Sequence, residues 1–523
     1  MNCLGIYKEN RIMNVAARHA AISLMVVGLL AGPAAADVTV DKMFSDHMVL
    51  QRDMAVPVWG MAAPGEKVTV AFRDQKKTAE ADKDGKWLVR LDAMKVGEPG
   101  KMTVSGGASP IVFDDVVVGE VWLGSGQSNM AYSTRYHTKR DPVLKARQAG
   151  APNPNLRIYS GGRRGWQPSH GGSALMFSFA LPLQKELDVP VGRIVGAQSG
   201  TPSGRWLSLE MLADDEACQA LLKKVGIDLG DKAAGARAAD AKVLAEWEKA
   251  AEIAKKAGKK APRKPKMELS KAGDLYAKHI QPVVPYAIRG VLWDQGEGGT
   301  AVPAIDQYTM MGALIKGWRK DWGQGDFPFL YIQKPSGGGC AWDANDPVTN
   351  KAEKFRPQPA NPNAADAGAS RELHIRIMGH PNTAMVTASD LGGGTHPTNK
   401  SGYGARACRV AMGFVYGKEV EYYGPIYDSH SVEGKAIRVK FTHAAGLAVP
   451  DGQKLQGFEI AGADGAYQWA QAKIDGVCVV VSSDKVPAPV NVRYGWGGRR
   501  SWANLFNSAH LPALTFRTDR PGK

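Results

Sequence analysis

Short alternating runs open the readable part of the chain. Val56-Pro57-Val58-Trp59, Lys67-Val68-Thr69-Val70-Ala71-Phe72 and Lys86-Trp87-Leu88-Val89-Arg90 switch between apolar and polar positions and are separated by turn residues, which predicts a small all-β domain over residues 37–110. Beyond residue 111 the rhythm changes. Unbroken apolar runs, Val116-Val117-Val118 and then 192–197, 290–293, 328–332 and 384–387, alternate with amphipathic stretches of helical length, and that alternation predicts a parallel α/β domain over 111–420. Strand-like text returns in 421–523, as in Ala436-Ile437-Arg438-Val439-Lys440-Phe441, and predicts a second β region. Within the α/β part, residues 233–257 place Leu244, Trp247, Ala251 and Ala254 at helical spacing before Pro262 and Pro265. A helical insertion with a basic loop is expected at about 230–270, docked by Trp247.

The first 36 residues show another pattern. Lys8, Arg11 and Arg18 precede the apolar run 20–32 and the small residues Ala34-Ala35-Ala36, the order of a secretory signal cut after Ala36. That run is shorter than the roughly 20 residues a spanning helix needs, and no later run reaches that length, so the expectation is a periplasmic or secreted protein without a membrane span. The composition, 44% hydrophobic and 22% charged over 523 residues, excludes a disordered chain and a disulfide-dense miniature. A formal charge of +15 gathers partly in Lys255, Lys256, Lys259, Lys260, Arg263, Lys264 and Lys266, a stretch without an acid. A solvated surface is the plain reading of such a run. Its field also suits an anionic polysaccharide as partner, and nucleic acid is not expected for an exported chain. Cys218, Cys340, Cys408 and Cys478 are too far apart for zinc spacing, and three disulfide pairings of the four stay open.

Chemistry concentrates where buried strands end. The run Val116-Val117-Val118-Gly119-Glu120-Val121-Trp122-Leu123 leads into Gly124-Ser125-Gly126-Gln127-Ser128-Asn129-Met130, placing Ser128 where open α/β sheets bind ligands. No serine has the G-x-S-x-G spacing of the α/β-hydrolase elbow. A serine hydroxyl needs a base to take its proton, and His396, in Gly392-Gly393-Gly394-Thr395-His396-Pro397 after another predicted strand, is the candidate. Trp122, Trp206 and Trp293 offer faces for a sugar or, more simply, fill the core.

Four blocks, Gly126-Gln127-Ser128-Asn129-Met130, Gly200-Thr201-Pro202, Trp293-Asp294-Gln295-Gly296-Glu297 and His396-Pro397 with Lys400, stand in the order of the SGNH-hydrolase esterases. With flanks such as Phe44-Ser45-Asp46-His47-Met48-Val49-Leu50-Gln51 and Pro285-Tyr286-Ala287-Ile288-Arg289-Gly290, nearly the whole chain after the leader resembles the sialate O-acetylesterase family. The resemblance implies a flavodoxin-like three-layer α/β/α SGNH core with accessory all-β domains. It also implies a serine esterase that removes acetyl groups from carbohydrates without cofactor or metal. It makes Ser128 the nucleophile, His396 the general base, and the amides of Ser128 and Gly200, completed by the Gln295 side chain, the oxyanion donors. Gln127, Asn129 and Glu297 are expected to line the substrate site, and Arg205 to bind a carboxylate if the sugar is acidic.

Three departures from that pattern stand out. Gly298-Gly299 stand where Ser-Asn is usual, the second block reads Gln198-Ser199-Gly200-Thr201-Pro202-Ser203-Gly204-Arg205-Trp206, and Gly393 takes the place of an Asp three residues before the histidine. Asp390 is therefore the candidate to orient the imidazole, the alternative being a Ser-His dyad. These departures keep a catalytically weak or inactive carbohydrate-binding protein on the same scaffold in view as the other reading, with a lipase or peptidase behind it.

Overall fold

The computed structural model describes residues 37–161, 164–265, 269–362 and 367–519. The signal read in residues 1–36, and Lys266 of the basic run, lie outside them. One 16-residue strand, Ile111–Gly126, links the N-terminal β region to the α/β region. Its first residues pair antiparallel with Gly100–Ser105, Val117–Gly119 run parallel to Val49–Gln51, and Glu120 to Gly126 pair parallel with Val191–Ala197 on one side and, from Trp122, with Gly290–Asp294 on the other. The boundary expected at residue 110 is thus the start of a strand shared by both regions.

The main sheet runs in the order Trp166–Pro168, Leu156–Tyr159, Val191–Ala197, Ile111–Gly126, Gly290–Asp294, Phe329–Ile332, Thr383–Val386. All but the Trp166–Pro168 edge are parallel, which gives a mixed α/β fold and explains the unbroken apolar text, since such strands are covered on both faces. Alternate residues feed two separate cores. Trp122, Leu292, Leu330, Ala384 and Val386 join Phe177, Phe179, Tyr403 and Ala407, whereas Leu123, Trp293, Phe329, Tyr331 and Met385 join Met310, Leu314 and Trp318. The helices that supply them are started by side chains: Ser173 caps Ala174–Leu187, Asp306 caps Gln307–Trp322 and Asn399 caps Lys400–Val410.

The helix expected in the insertion spans Lys232–Lys256, but only Ala236 and Ala239 are buried on it. Trp247 does not dock the helix on the core. Its Nε1 donates to the Pro262 carbonyl at 2.9 Å, and Lys264 lies over its ring, so it holds the returning basic loop against the helix. Apolar text on this helix is thin because the helix is mostly solvated.

At the C-terminal end two four-stranded sheets enclose Ile437, Val439, Phe458, Ile460, Val479, Val481 and Val492. Arg371 joins them to the α/β region: its buried guanidinium donates to the carbonyls of Gly495, Trp496, Gly497 and Gly498 and to Thr515 Oγ1. The four cysteines among the described residues are free thiols, Cys218, Cys340 and Cys408 buried. No helix among the described residues is long and apolar enough to cross a membrane.

The helices Ala174–Leu187 and Lys400–Val410 cross at Gly404, where a Cβ would come within 2.3 Å of the Ser178 backbone. Gly404→Ala therefore forces the helices apart and costs about 1–3 kcal/mol. Denaturant unfolding at an unchanged slope measures it, and wild-type stability would contradict the close crossing.

Candidate active site

The central strand and its two neighbours end side by side, and each delivers one block. At Gly126, φ is +126° and a Cβ would sit 2.2 Å from the Asp294 carbonyl, so only glycine allows the adjoining strand ends to approach this closely. Gln127 N then donates to that carbonyl at 3.0 Å, and the chain turns into the one-turn helix Ser128–Ala131. Ser128 is 4% exposed. Its Oγ lies 3.0 Å from His396 Nε2, within reach for transfer of the hydroxyl proton.

His396 comes from the loop after Thr383–Val386. The Asn399 amide donates to the Val348 and Leu391 carbonyls, and the Tyr403 hydroxyl to the Gly392 carbonyl, which pins the start of the glycine-rich segment. Asp390 does not orient the imidazole. It is fully buried, and its two oxygens accept from the Arg406 guanidinium at 3.1 and 2.8 Å. Among the described residues no carboxylate bonds the His396 ring, and Gly393, at the usual acid position, is exposed.

Gly200 sits just past the end of Val191–Ala197, at a φ of +75° with open space where a Cβ would point. Its amide and that of Ser128 donate to no other described residue, so both are available to a developing negative oxygen. The Gln295 side chain is not available in this way. It is 1% exposed, and its Nε2 donates to the Thr201 carbonyl at 2.8 Å, which fixes the turn carrying Gly200.

Of the residues expected to touch substrate, Gln127, Asn129 and Arg205 are otherwise engaged, whereas Glu297 stays exposed. Gln127 and Asn129 are buried, and both amides donate to the Glu297 carboxylate, that of Asn129 at 3.0 Å. Asn129 Nδ2 also donates to the Thr395 carbonyl at 3.1 Å, and Lys400 Nζ donates to its Oδ1 at 2.7 Å. Arg205 closes its fork on Asp274, with Nε to Oδ1 at 2.8 Å, so it offers no free guanidinium to a carboxylate. Trp122, Trp206 and Trp293 are enclosed and meet Phe179, Trp318 and one another edge to face. They are core.

A charged cluster lies below the serine turn. Lys334 Nζ is 2.7 Å from Asp294 and 2.5 Å from Glu297. Burial pulls the Lys334 pKa down, but the two carboxylates outweigh it and hold the ammonium above its ordinary value. For Glu297, burial opposes ionisation and Lys334 prevails, leaving the carboxyl below its usual range, whereas burial dominates at Asp294 and raises it. Lys400 is pulled down to about 8 by burial, with Asp294 offsetting only part. Sequence reasoning missed Lys334, whose one signal is its place just beyond a buried strand. Lys400 was legible only as a member of the histidine block.

No protein-family model matches the chain. It is 26% identical over 431 residues to the sialate O-acetylesterase of Pongo abelii, covering 73% of this chain and 72% of that one. Against the Homo sapiens sialate O-acetylesterase it is 26% identical over 430 residues, with the same coverage. Its fold is similar to the crystal structure of a carbohydrate acetylesterase from Xanthomonas citri, with a TM-score of 0.70 and 28% identity over 92% of this chain and 99% of that one.

The Asp390–Arg406 pair and the buried histidines can each be tested. Asp390→Asn leaves the Arg406 charge buried and uncompensated and costs about 3–5 kcal/mol, read as a lowered Tm. Turnover per folded molecule falls by less than about tenfold, not by the roughly 10⁴ that losing an orienting acid costs. A large loss of turnover at wild-type stability would restore Asp390 to the site. Burial also lowers the pKa of His137 and of His374 from 6.5 to about 3. Between those values the unfolded chain holds protons that the folded chain does not, so stability falls as pH drops from about 6.5 towards 3. Tm measured against pH shows this slope, and His374→Gln makes it shallower; an equal slope in the variant would contradict a buried neutral imidazole.

Proposed function

Because this chain belongs to the sialate O-acetylesterase family and is a carboxylic ester hydrolase, we propose that it removes O-acetyl groups from carbohydrates through an acetyl-serine intermediate. The observation that carries the reading is the 3.0 Å contact between Ser128 Oγ and His396 Nε2 at the end of the parallel sheet. As the Ser128 oxygen adds to the acetyl carbonyl, its proton passes to Nε2. The carbonyl oxygen becomes an anion facing the amides of Ser128 and Gly200, donors fixed before the charge appears. Collapse of the tetrahedral species breaks the bond to the sugar oxygen, which takes the proton from His396. Water, deprotonated in turn by His396, adds to the acetyl-enzyme and releases acetate, and Ser128 recovers its proton.

In this reading the pair works as a dyad, with the imidazole held by its own loop, and the sheet with its two cores is the SGNH three-layer core flanked by β domains. Export, with cleavage after Ala36, belongs to the same proposal: the charged and apolar order of residues 8–36 supports it. Gln295 acts by bracing the Gly200 turn.

Ser128→Ala and His396→Ala are each expected to lower kcat for p-nitrophenyl acetate by about 10⁴-fold or more, with acetate release from acetylated glycans falling in parallel. Wild-type turnover in Ser128→Ala would reject this nucleophile. A rate that rises with acyl chain length would instead favour a lipase.

A further inference from the structure

In the proposed reaction, His396 returns its proton to the sugar oxygen that leaves. That oxygen must come within about 3 Å of Nε2, and the sugar ring it belongs to must rest against the groups on the open side of His396. Two aromatic rings stand beside the imidazole. Tyr132 sets its ring against His396 at 5.0 Å between centroids and an angle of 63°, and Tyr136 lies on Tyr132 at 4.6 Å and 33°. Tyr132 is half-buried and Tyr136 is 42% exposed, whereas the three tryptophans near the blocks are enclosed.

The local fold presents these rings to solvent. The Ser133 hydroxyl caps the short helix Thr134–His137 by accepting from Tyr136 N, and Thr134 N donates to the Gly172 carbonyl at 2.9 Å. Thr134 and His137 face inward, so Tyr136 faces out. A surface tyrosine gives a flat apolar face with a polar rim, which suits a pyranose with its axial hydrogens on one side and hydroxyls around the edge.

Charge on the same rim has one sign. Arg135, Lys139 and Arg140 are exposed, and among the described residues no carboxylate pairs with them. Arg140 Cζ lies 5.5 Å from the Tyr136 ring centre. Asp141, the next acid, is turned inward, where it caps Leu144 and accepts from Ser401. We infer that Tyr132, Tyr136 and Arg140 form the subsite for the leaving-group sugar, the rings under its face and the Arg140 guanidinium opposite an anionic substituent where the sugar carries one. This inference rests on the esterase reading.

The test uses the full chain with three substrates: ethyl acetate, whose alcohol is too small to stack, an O-acetylated neutral xylo-oligosaccharide, and an O-acetylated galacturonate oligosaccharide. For Tyr136→Ala, the ratio of kcat/KM on either sugar ester to that on ethyl acetate should fall about tenfold, a stacking contact of ordinary strength, while Tyr136→Phe keeps it. For Arg140→Gln the ratio should fall for the galacturonate alone, through KM, and the wild-type ratio for that substrate should shrink as salt rises. A Tyr136→Ala ratio within about twofold of wild type, or an Arg140→Gln loss equal for both sugars, overturns the subsite. A wild-type enzyme that cleaves ethyl acetate and neither sugar ester overturns the carbohydrate reading itself, so the two failures are told apart.

Discussion

The site depends on one buried amide. Asn129 stands just after the serine in sequence, and Thr395 just before the histidine. The bond from Asn129 Nδ2 to the Thr395 carbonyl therefore ties together two loops that lie 266 residues apart in the chain. An amide can be flipped, and a flip here would set Oδ1 against a carbonyl. Glu297 accepting at Nδ2 and Lys400 donating to Oδ1 make that arrangement unfavourable, since each neighbour would then face the wrong end of the amide. The charges are arranged to orient a neutral group, and the neutral group sets the distance between hydroxyl and imidazole.

Such a cluster is costly. Lys334 and Asp294 lose nearly all their water and Glu297 part of it, and a pair of this kind adds little or nothing to net stability compared with apolar packing. Lys334 makes it tolerable by lying within 2.7 Å of both Asp294 and Glu297. What the arrangement supplies is a defined geometry at the ends of three adjacent strands, where an apolar filling would leave the loops free to shift. The sheet order places those ends together: the strand leading to Ser128 lies between the strands leading to Gly200 and to Gln295, so each block enters from its own strand with a turn of only a few residues.

What could be read from the sequence reflects this architecture. Period-two text marked the flanking β regions, and unbroken apolar runs marked the parallel strands, because burial on one face or on two leaves different patterns. Ser128 and His396 were legible because each comes after a strand within a glycine-bearing turn, and Gly200 only through the block that resembles the family's. Their neighbours were legible as members of blocks but not in their roles. Polarity shows that a side chain needs a partner, not which partner it has. Asp390 meets Arg406, one helix face away, Arg205 meets Asp274, 69 residues on, and Gln295 meets a backbone carbonyl. Lys334 had no signal beyond its place past a strand, since its partners come from a different loop. Trp247 shows the same limit: the spacing correctly made a helix, but could not tell docking of that helix from docking of the loop behind it.

The glycine at 393 acquires a physical meaning in this setting. An acid three residues before the histidine would hold the ring through its second nitrogen; here that position is exposed, and the nearest carboxylate upstream is committed to a buried arginine. Orientation then falls to the backbone. Asn129 holds the Thr395 carbonyl, Asn399 holds the carbonyl of Leu391, Tyr403 holds that of Gly392, and the Tyr132 ring bears on the imidazole from outside. A loop whose carbonyls are held at these points ahead of His396, and tied back to Asn399 behind it, limits the ring mainly to rotation about its own side-chain bonds, and the tyrosine edge restricts that rotation further. The imidazolium formed during turnover would be stabilised by no adjacent carboxylate, so in the proposed dyad the preorganised amides at Ser128 and Gly200 carry a larger share of the stabilisation of the transition state.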